Sequence, residues 1–333
     1  MGILDWVFGH KRATTTKRAA SASSAPTASL EFDTSWDFAH YGPRDFFGQY
    51  AKSANRVYVL AWQEGRERKL DGSPGGKTLG QYLLFENRKL IAEGRMARPN
   101  DGKVADNGTF ILNDWEFGNA LSGTFFAFNK EGRLLIQREF TANLYNNGLS
   151  PDGRFAVCQT CNSDTEDSSL LTIFDLSQRA VVASWEPEAG WADKYDFAPD
   201  GKIIKLKYGN TGSFRYSVTG EFLDRKRFQE IQLTQGTYDS ILNTVNGFLR
   251  SRDTPPTPEL NAELLQAIDR VFPTVPPLNF EYKSLALKLK GICLENQGSL
   301  QEALDCYDKA LTVNPKVGVK QRANKIRKSL APK

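Results

Sequence analysis

Four times between residues 53 and 205 the chain repeats one short pattern, a polar turn followed by an apolar run. The turns are Ser53-Ala54-Asn55-Arg56, Ala105-Asp106-Asn107-Gly108, Ser150-Pro151-Asp152-Gly153 and Ala198-Pro199-Asp200-Gly201. The runs that follow them include Val57-Tyr58-Val59-Leu60 and Phe155-Ala156-Val157. Aligned on residues 56, 108, 153 and 201, the spacings are 52, 45 and 48 residues. Self-similarity at this period predicts a series of like supersecondary units, each too small to bury its own faces alone. Sharp reversal between short strands selects Asp, Asn and Gly at the turns.

A second element recurs in phase: a strand, a tight polar turn and another strand, at 82–91, 125–135, 171–182 and 214–223. Together the two elements resemble the blades of a β-propeller of the WD-repeat kind. The Ser-Pro-Asp-Gly turn leads into a blade's second strand, and Ile173-Phe174-Asp175-Leu176 stands where that family often has Trp-Asp. The Gly-His and Trp-Asp signatures are absent, so the resemblance is to blades in general. It implies small antiparallel sheets packed on both faces, with nearly all-apolar strands. Four blades is near the minimum for a ring. The ring could close alone, gain a fifth blade from residues 30–50, stay open against the helices that follow, or pair with a second chain. An irregular β-sandwich is the other reading.

Beyond residue 230 the period changes to that of helices. Residues 237–251 place Tyr238, Ile241, Leu242, Val245 and Leu249 on one side. Thr257-Pro258-Glu259 reads as N-cap, N1 and first-turn acid of a helix running to about Phe272. Residues 285–315 carry a glycine, Gly291, where two helices would cross, then Leu294, a turn glycine at Gly298, small residues at Ala303 and Ala310, Tyr307 between them, and Pro315. These spacings resemble the 34-residue tetratricopeptide repeat (TPR). Leu287 and Lys290 depart from it, standing where the family has Trp and Leu. Ser299 and Glu302 have the spacing of a capping box. Gly247 and Ala267 suggest a worn second copy, and Val317, Val319, Ala323, Ile326 and Leu330 suggest a final capping helix. About five helices are expected.

The fold expected is therefore a small, about four-bladed β-propeller-like domain over residues 31–228, followed by an α-helical TPR-like domain over 229–333. Residues 1–30, rich in Ala, Ser and Thr, are expected to be disordered. Net charge is +4, unevenly spread: +3 over residues 1–30, +7 over 316–333 and −6 between. No apolar run approaches the ~20 residues that span a bilayer, and residues 1–9 lack a basic flank for a secretory signal. A cytoplasmic location is expected.

Candidate chemistry is sparse. Gly72-Ser73-Pro74-Gly75-Gly76-Lys77-Thr78 is close to a phosphate-binding loop, but Asp71 replaces its first glycine and a strand, not a helix, is expected after it. Cys158 and Cys161 have CxxC spacing, yet they begin on a strand, and a zinc site would need two further ligands; core or strand-end thiols are the expected role. Asp164, Glu166 and Asp167 lack the spacing of a calcium loop and read as a solvated hairpin tip. With only His10 and His40 and no nucleophile–base pattern, no catalytic residue, metal or cofactor is assigned.

The resemblance implies a non-enzymatic scaffold or adaptor that binds a protein or peptide. On the TPR register the groove-facing positions are Leu285, Lys288, Ile292, Glu295 and Asn296. Lys288 fits the version that grips a carboxylate, whereas Ile292 replaces its Asn; a mixed apolar and polar peptide surface is expected. A second candidate surface is the basic set Lys316, Lys320, Arg322, Lys325, Arg327 and Lys328, which could meet nucleic acid or another anionic surface. The −6 body argues against a broad nucleic-acid footprint. An enzyme with its site in the propeller channel is the third alternative. The sequence is compatible with a monomer and with a homodimer.

Overall fold

The structure, a computed structural model, describes residues 30–33, 35, 37–68, 74–117, 121–209, 211–250 and 256–331. The expected disorder over 1–30 therefore falls outside the described residues except for Leu30, as do Asp71, Gly72 and Ser73.

The first part is four antiparallel sheets in series. Blade one contains β1 (Glu31–Asp33), β2 (Phe38–Tyr41), β3 (Phe46–Lys52) and β4 (Tyr58–Gln63). A separate small hairpin, β5 (Arg66–Arg68) and β6 (Pro74–Thr78), is inserted before the blade resumes with β7 (Gly80–Glu86) and β8 (Lys89–Met96). Blade two is β9 (Pro99–Val104), β10 (Phe110–Asp114), β11 (Gly123–Phe128) and β12 (Leu134–Phe140). Blade three is β13 (Leu144–Leu149), β14 (Phe155–Thr160), β15 (Leu171–Asp175) and β16 (Ala180–Trp185). Blade four has β17 (Lys194–Phe197), β18 (Ile203–Tyr208) and β19 (Gly212–Ser217), with an isolated bridge from Tyr216 to Phe222 in place of a fourth strand. Strands neighbouring in the chain pair within each sheet, save that the β5–β6 hairpin intervenes between β4 and β7 of blade one.

Neighbouring blades share apolar faces. Leu60 and Trp62 meet Phe110 and Leu112 between blades one and two. Between two and three, Phe125 stacks on Phe174 with centroids 4.7 Å apart. Between three and four, Phe155 and Ile173 meet Ile204 and Phe214. Every residue of β10 and β14 is buried; each strand opens on an apolar run, Phe110-Ile111-Leu112 and Phe155-Ala156-Val157-Cys158, and ends in two buried polar residues.

The stack does not close on itself: among the described residues no buried cluster joins blade four to blade one. Each end is finished differently. The six-stranded sheet of blade one curls so that Leu30, Ala39 and Tyr41 cover its own outer face at Val59, Ala61 and Phe85. Residues 30–50 thus extend blade one and do not make a fifth blade. Blade four turns Lys194, Asp196, Lys205 and Arg215 outward, alternating with buried Ile204, Leu206, Phe214 and Tyr216. A polar outer face is what the last unit of a stacked array requires. Of the arrangements possible within one chain, the structure takes the open one.

The recurring turns fix one rim of the stack. They lead into β4, β10, β14 and β18, the second strand of blades two to four and the fourth of blade one, and the backbone at the aligned position has φ of +83° at Gly108, +73° at Gly153 and +67° at Gly201. Blade one places Arg56 there at φ +60°, a conformation glycine adopts at lower cost. The turns also bond to one another. Asn55 N–H donates to Asp106 Oδ1 (2.7 Å), and Asp106 N–H donates to the Pro151 carbonyl (2.8 Å).

Six helices follow among the described residues: α1 (Arg225–Gln235), α2 (Tyr238–Arg250), α3 (Pro258–Val271), α4 (Phe280–Asn296), α5 (Leu300–Val313) and α6 (Lys320–Leu330). The extra one, α1, was hidden by its weak amphipathicity. Its Phe228 packs edge-on to Phe214 of blade four (5.2 Å), while Leu233 enters the helical core. Thr257 caps α3, its side chain accepting from Leu260 N–H. The capping box of Ser299 and Glu302 is not formed. The Ser299 N–H instead bonds the Leu294 carbonyl (3.0 Å) and Gly298 N–H bonds that of Glu295 (3.1 Å), closing α4 with Gly298 at φ +82°. Gly247 faces open space, so it has no part like that of Gly291; Ala267 is buried as expected.

Asp224 ties the last blade to α1. Its carboxylate accepts from the Arg215 guanidinium (2.7 Å) and from the Arg215 backbone N–H (2.8 Å), and the guanidinium holds it below the usual aspartate range. A carboxyl lowered on folding contributes stability above its unfolded value, about 3.9, and loses it as pH falls through the folded one. Asp224→Asn is therefore expected to melt below the parent at neutral pH, with the gap closing in strong acid. Thermal unfolding of both proteins across that range checks this; a constant gap would contradict it.

Candidate binding surfaces

The positions expected to face a helical groove all lie on α4. Gly291 lets α5 come close: a Cβ there would lie 2.5 Å from Tyr307 Cε1. Tyr307 is fully buried, and its hydroxyl donates to Glu295 Oε2 (2.6 Å). Arg322 of α6 donates to the same oxygen (2.8 Å), so Glu295 joins three helices. Burial, then the Glu295 hydrogen bond, pushes the Tyr307 phenol up. Lys290, which stands where the repeat has Leu, pairs with Asp269 of α3 (2.6 Å).

The five groove positions fare differently. Leu285 is half-buried against the core shared by α2, α3 and α4. Ile292 is half-buried against the core of α5 and α6. Asn296 is exposed, its Nδ2 donating to Oδ1 of the buried Asn261 (3.1 Å), which itself donates to the Cys293 carbonyl (2.9 Å). Lys288 is half-buried and donates to the Val317 carbonyl (3.2 Å). Burial lowers its pKa, and Arg250 and Arg322 lower it further. No carboxylate pairs with Lys288 among the described residues. The α5–α6 turn and Arg250 as neighbours of Lys288 were not foreseen; nothing in the spacing of one repeat signals what the next helix turns toward it.

The basic set is less uniform than its sequence. Val319, which precedes α6, and Ala323 and Ile326 within it are buried, while Leu330 is exposed. Arg322 is spent on Glu295, and Arg327 pairs with Asp308. Lys316, Lys320, Lys325 and Lys328 are exposed and pair with no acid among the described residues.

On the β part, a groove of about 520 Å³ runs over the first strands of blades two to four, with Asp101, Lys103, Trp115, Tyr145 and Asn147 in its walls. Asn147 is buried; its Nδ2 donates to the Asp101 carbonyl (2.8 Å) and its Oδ1 has no partner. Only the packing of three separate sheets side by side assembles this groove, so the sequence carried no signal for it.

The other sequence candidates resolve locally. Pro74–Thr78 is strand β6, with no helix at its end to receive phosphate. Cys158 is fully buried and burial pushes its thiol far up, the reverse of a reactive thiolate; Cys161 shifts the same way. Asp167 is not part of a solvated tip: it is buried and accepts from the N–H (2.8 Å) and hydroxyl (3.0 Å) of Thr141. Among the described residues no three His, Cys, Asp or Glu side chains group as metal ligands, and no helix is long and apolar enough to cross a membrane.

A family model described as the tetratricopeptide repeat matches residues 284–317. No curated protein matches the chain. Among solved structures, the chain is similar to the crystal structure of the C-terminal WD40 domain of Sif2, at 10% identity and a TM-score of 0.36, over 55% of this chain and 52% of that one. The chain thus spans about half the length of that structure. The blades are identified by their own strand order and register. Repeats of the tetratricopeptide kind generally mediate contacts between proteins.

Proposed function

We propose that the protein is a non-enzymatic adaptor whose groove along α4 and α6 holds an acidic peptide segment of a partner protein. Lys288 carries this reading. It is a half-buried ammonium near the Arg250 guanidinium and the Glu295-paired Arg322, and no carboxylate pairs with it among the described residues. Such a site is short of negative charge, and an incoming acid supplies it in a partly desolvated setting where the attraction is strong. Ile292 offers an apolar contact beside it, and Glu295 is already held by Tyr307 and Arg322. Residues 31–228 and 229–333 serve as the two working parts, joined through α1.

The test is a fluorescence titration of the full chain with labelled acidic peptides and with the same peptides carrying Asn and Gln for Asp and Glu. Acidic peptides are expected to bind roughly tenfold more tightly, and Lys288→Glu to remove the difference. Added salt weakens this binding. Raising the pH also weakens it, earlier on the alkaline side than for an ordinary lysine, because the lowered pKa of Lys288 releases its proton sooner. Equal affinity for both peptide sets, unchanged by Lys288→Glu, would refute the reading.

A further inference from the structure

The outer strand of each blade is an open edge, and edges of this kind are guarded in most proteins by charge. β8 carries Lys89, Glu93 and Arg95, and β12 carries Arg138 and Glu139. Blade four replaces its outer strand: Leu223 N–H bonds the Arg215 carbonyl, Asp224 takes the Arg215 N–H, and α1 follows. β16 is different. Its six residues, Ala180-Val181-Val182-Ala183-Ser184-Trp185, include no charge. Val181 is 48% exposed and Val182 37%. Ladder irregularities occur in β8, β12 and β16 alike, so only charge distinguishes this edge.

Charge returns immediately outside β16, with opposite signs at its two ends. Arg179 precedes the strand and Glu186 follows it; both are exposed, and neither has an ion partner among the described residues. An antiparallel pairing of β16 with the β16 of a second copy sets the Arg179 end of each beside the Glu186 end of the other. A parallel pairing would set like charges together. The contact is isologous, so each favourable pair occurs twice about one two-fold axis. We propose that β16 pairs antiparallel with β16 of a second copy of this chain, making a homodimer with one sheet continuous across two third blades.

Sedimentation equilibrium of the full chain tests this, with circular dichroism to verify that each variant is folded. The parent is expected to dimerise. Arg179→Glu places acids together at both ends and is expected to raise the dissociation constant roughly tenfold, since the change acts twice across the axis. Arg179→Glu with Glu186→Arg restores pairing, which a merely destabilised fold would not do. Val181→Lys puts a charge on the edge and is expected to give monomer. A parent that stays monomeric, or a dimer indifferent to both Arg179→Glu and Val181→Lys, overturns the proposal.

Discussion

Phe174→Ala is expected to lower the free energy of unfolding by about 3–5 kcal/mol, the range for removing a buried phenylalanine. Phe174 is fully buried and stacks on Phe125 across the junction of blades two and three. The loss exceeds that of a phenylalanine lining an end face, because both sides of the ring are in the core and rigid strands limit collapse into the space. Urea unfolding of parent and variant measures it. A loss under about 1 kcal/mol would mean that the junction repacks, and that the two blades are less tightly fitted than their stacked rings imply.

Gly291→Val is expected to be the most damaging change in the helices. The new Cβ alone would lie 2.5 and 2.6 Å from two ring carbons of Tyr307, a ring with no solvent to move into. Overpacking of this kind costs about 1–3 kcal/mol, and the Glu295 link to Arg322 shifts with the ring. The expected result is a lower unfolding midpoint together with weaker acidic-peptide binding. Gly247→Val should leave that binding unchanged, since Gly247 has nothing within 4 Å of where a Cβ would stand. Comparing the two variants separates the clash from the small gain in helix propensity that both share on replacing a helical glycine.

Much of the fold was legible because it is written more than once. The aligned turn positions 56, 108, 153 and 201 all have a positive φ, and that one backbone requirement left a glycine at three of them, with Arg56 at the fourth. The end of the stack was legible too, in the alternation of Lys205, Leu206 and Lys207, although the expectation of apolar blades passed over it. What the sequence hid was set by partners distant along the chain. Ser299 has the composition of a capping residue, yet the three-residue link to α5 commits its N–H to closing α4. Asp167 looks like a loop acid until Thr141 is brought beside it. Lys288 could be placed on a groove, but its shortage of counter-charge depends on Arg250 and Arg322, which lie on two other helices.

The open arrangement of the blades bears on how such a chain can change. A closed ring is quantised: its unit count must match the angle at which each unit meets the next, so gaining or losing one unit breaks the seam. Here the curled hairpin of blade one and the charged outer face of blade four act as a prefix and a suffix, and the units between them meet only their neighbours. Duplicating an interior blade would add one more like junction without disturbing either end. Unit number in this architecture is thus free to drift, and the distance between the first blade and the helices can lengthen in steps of one blade.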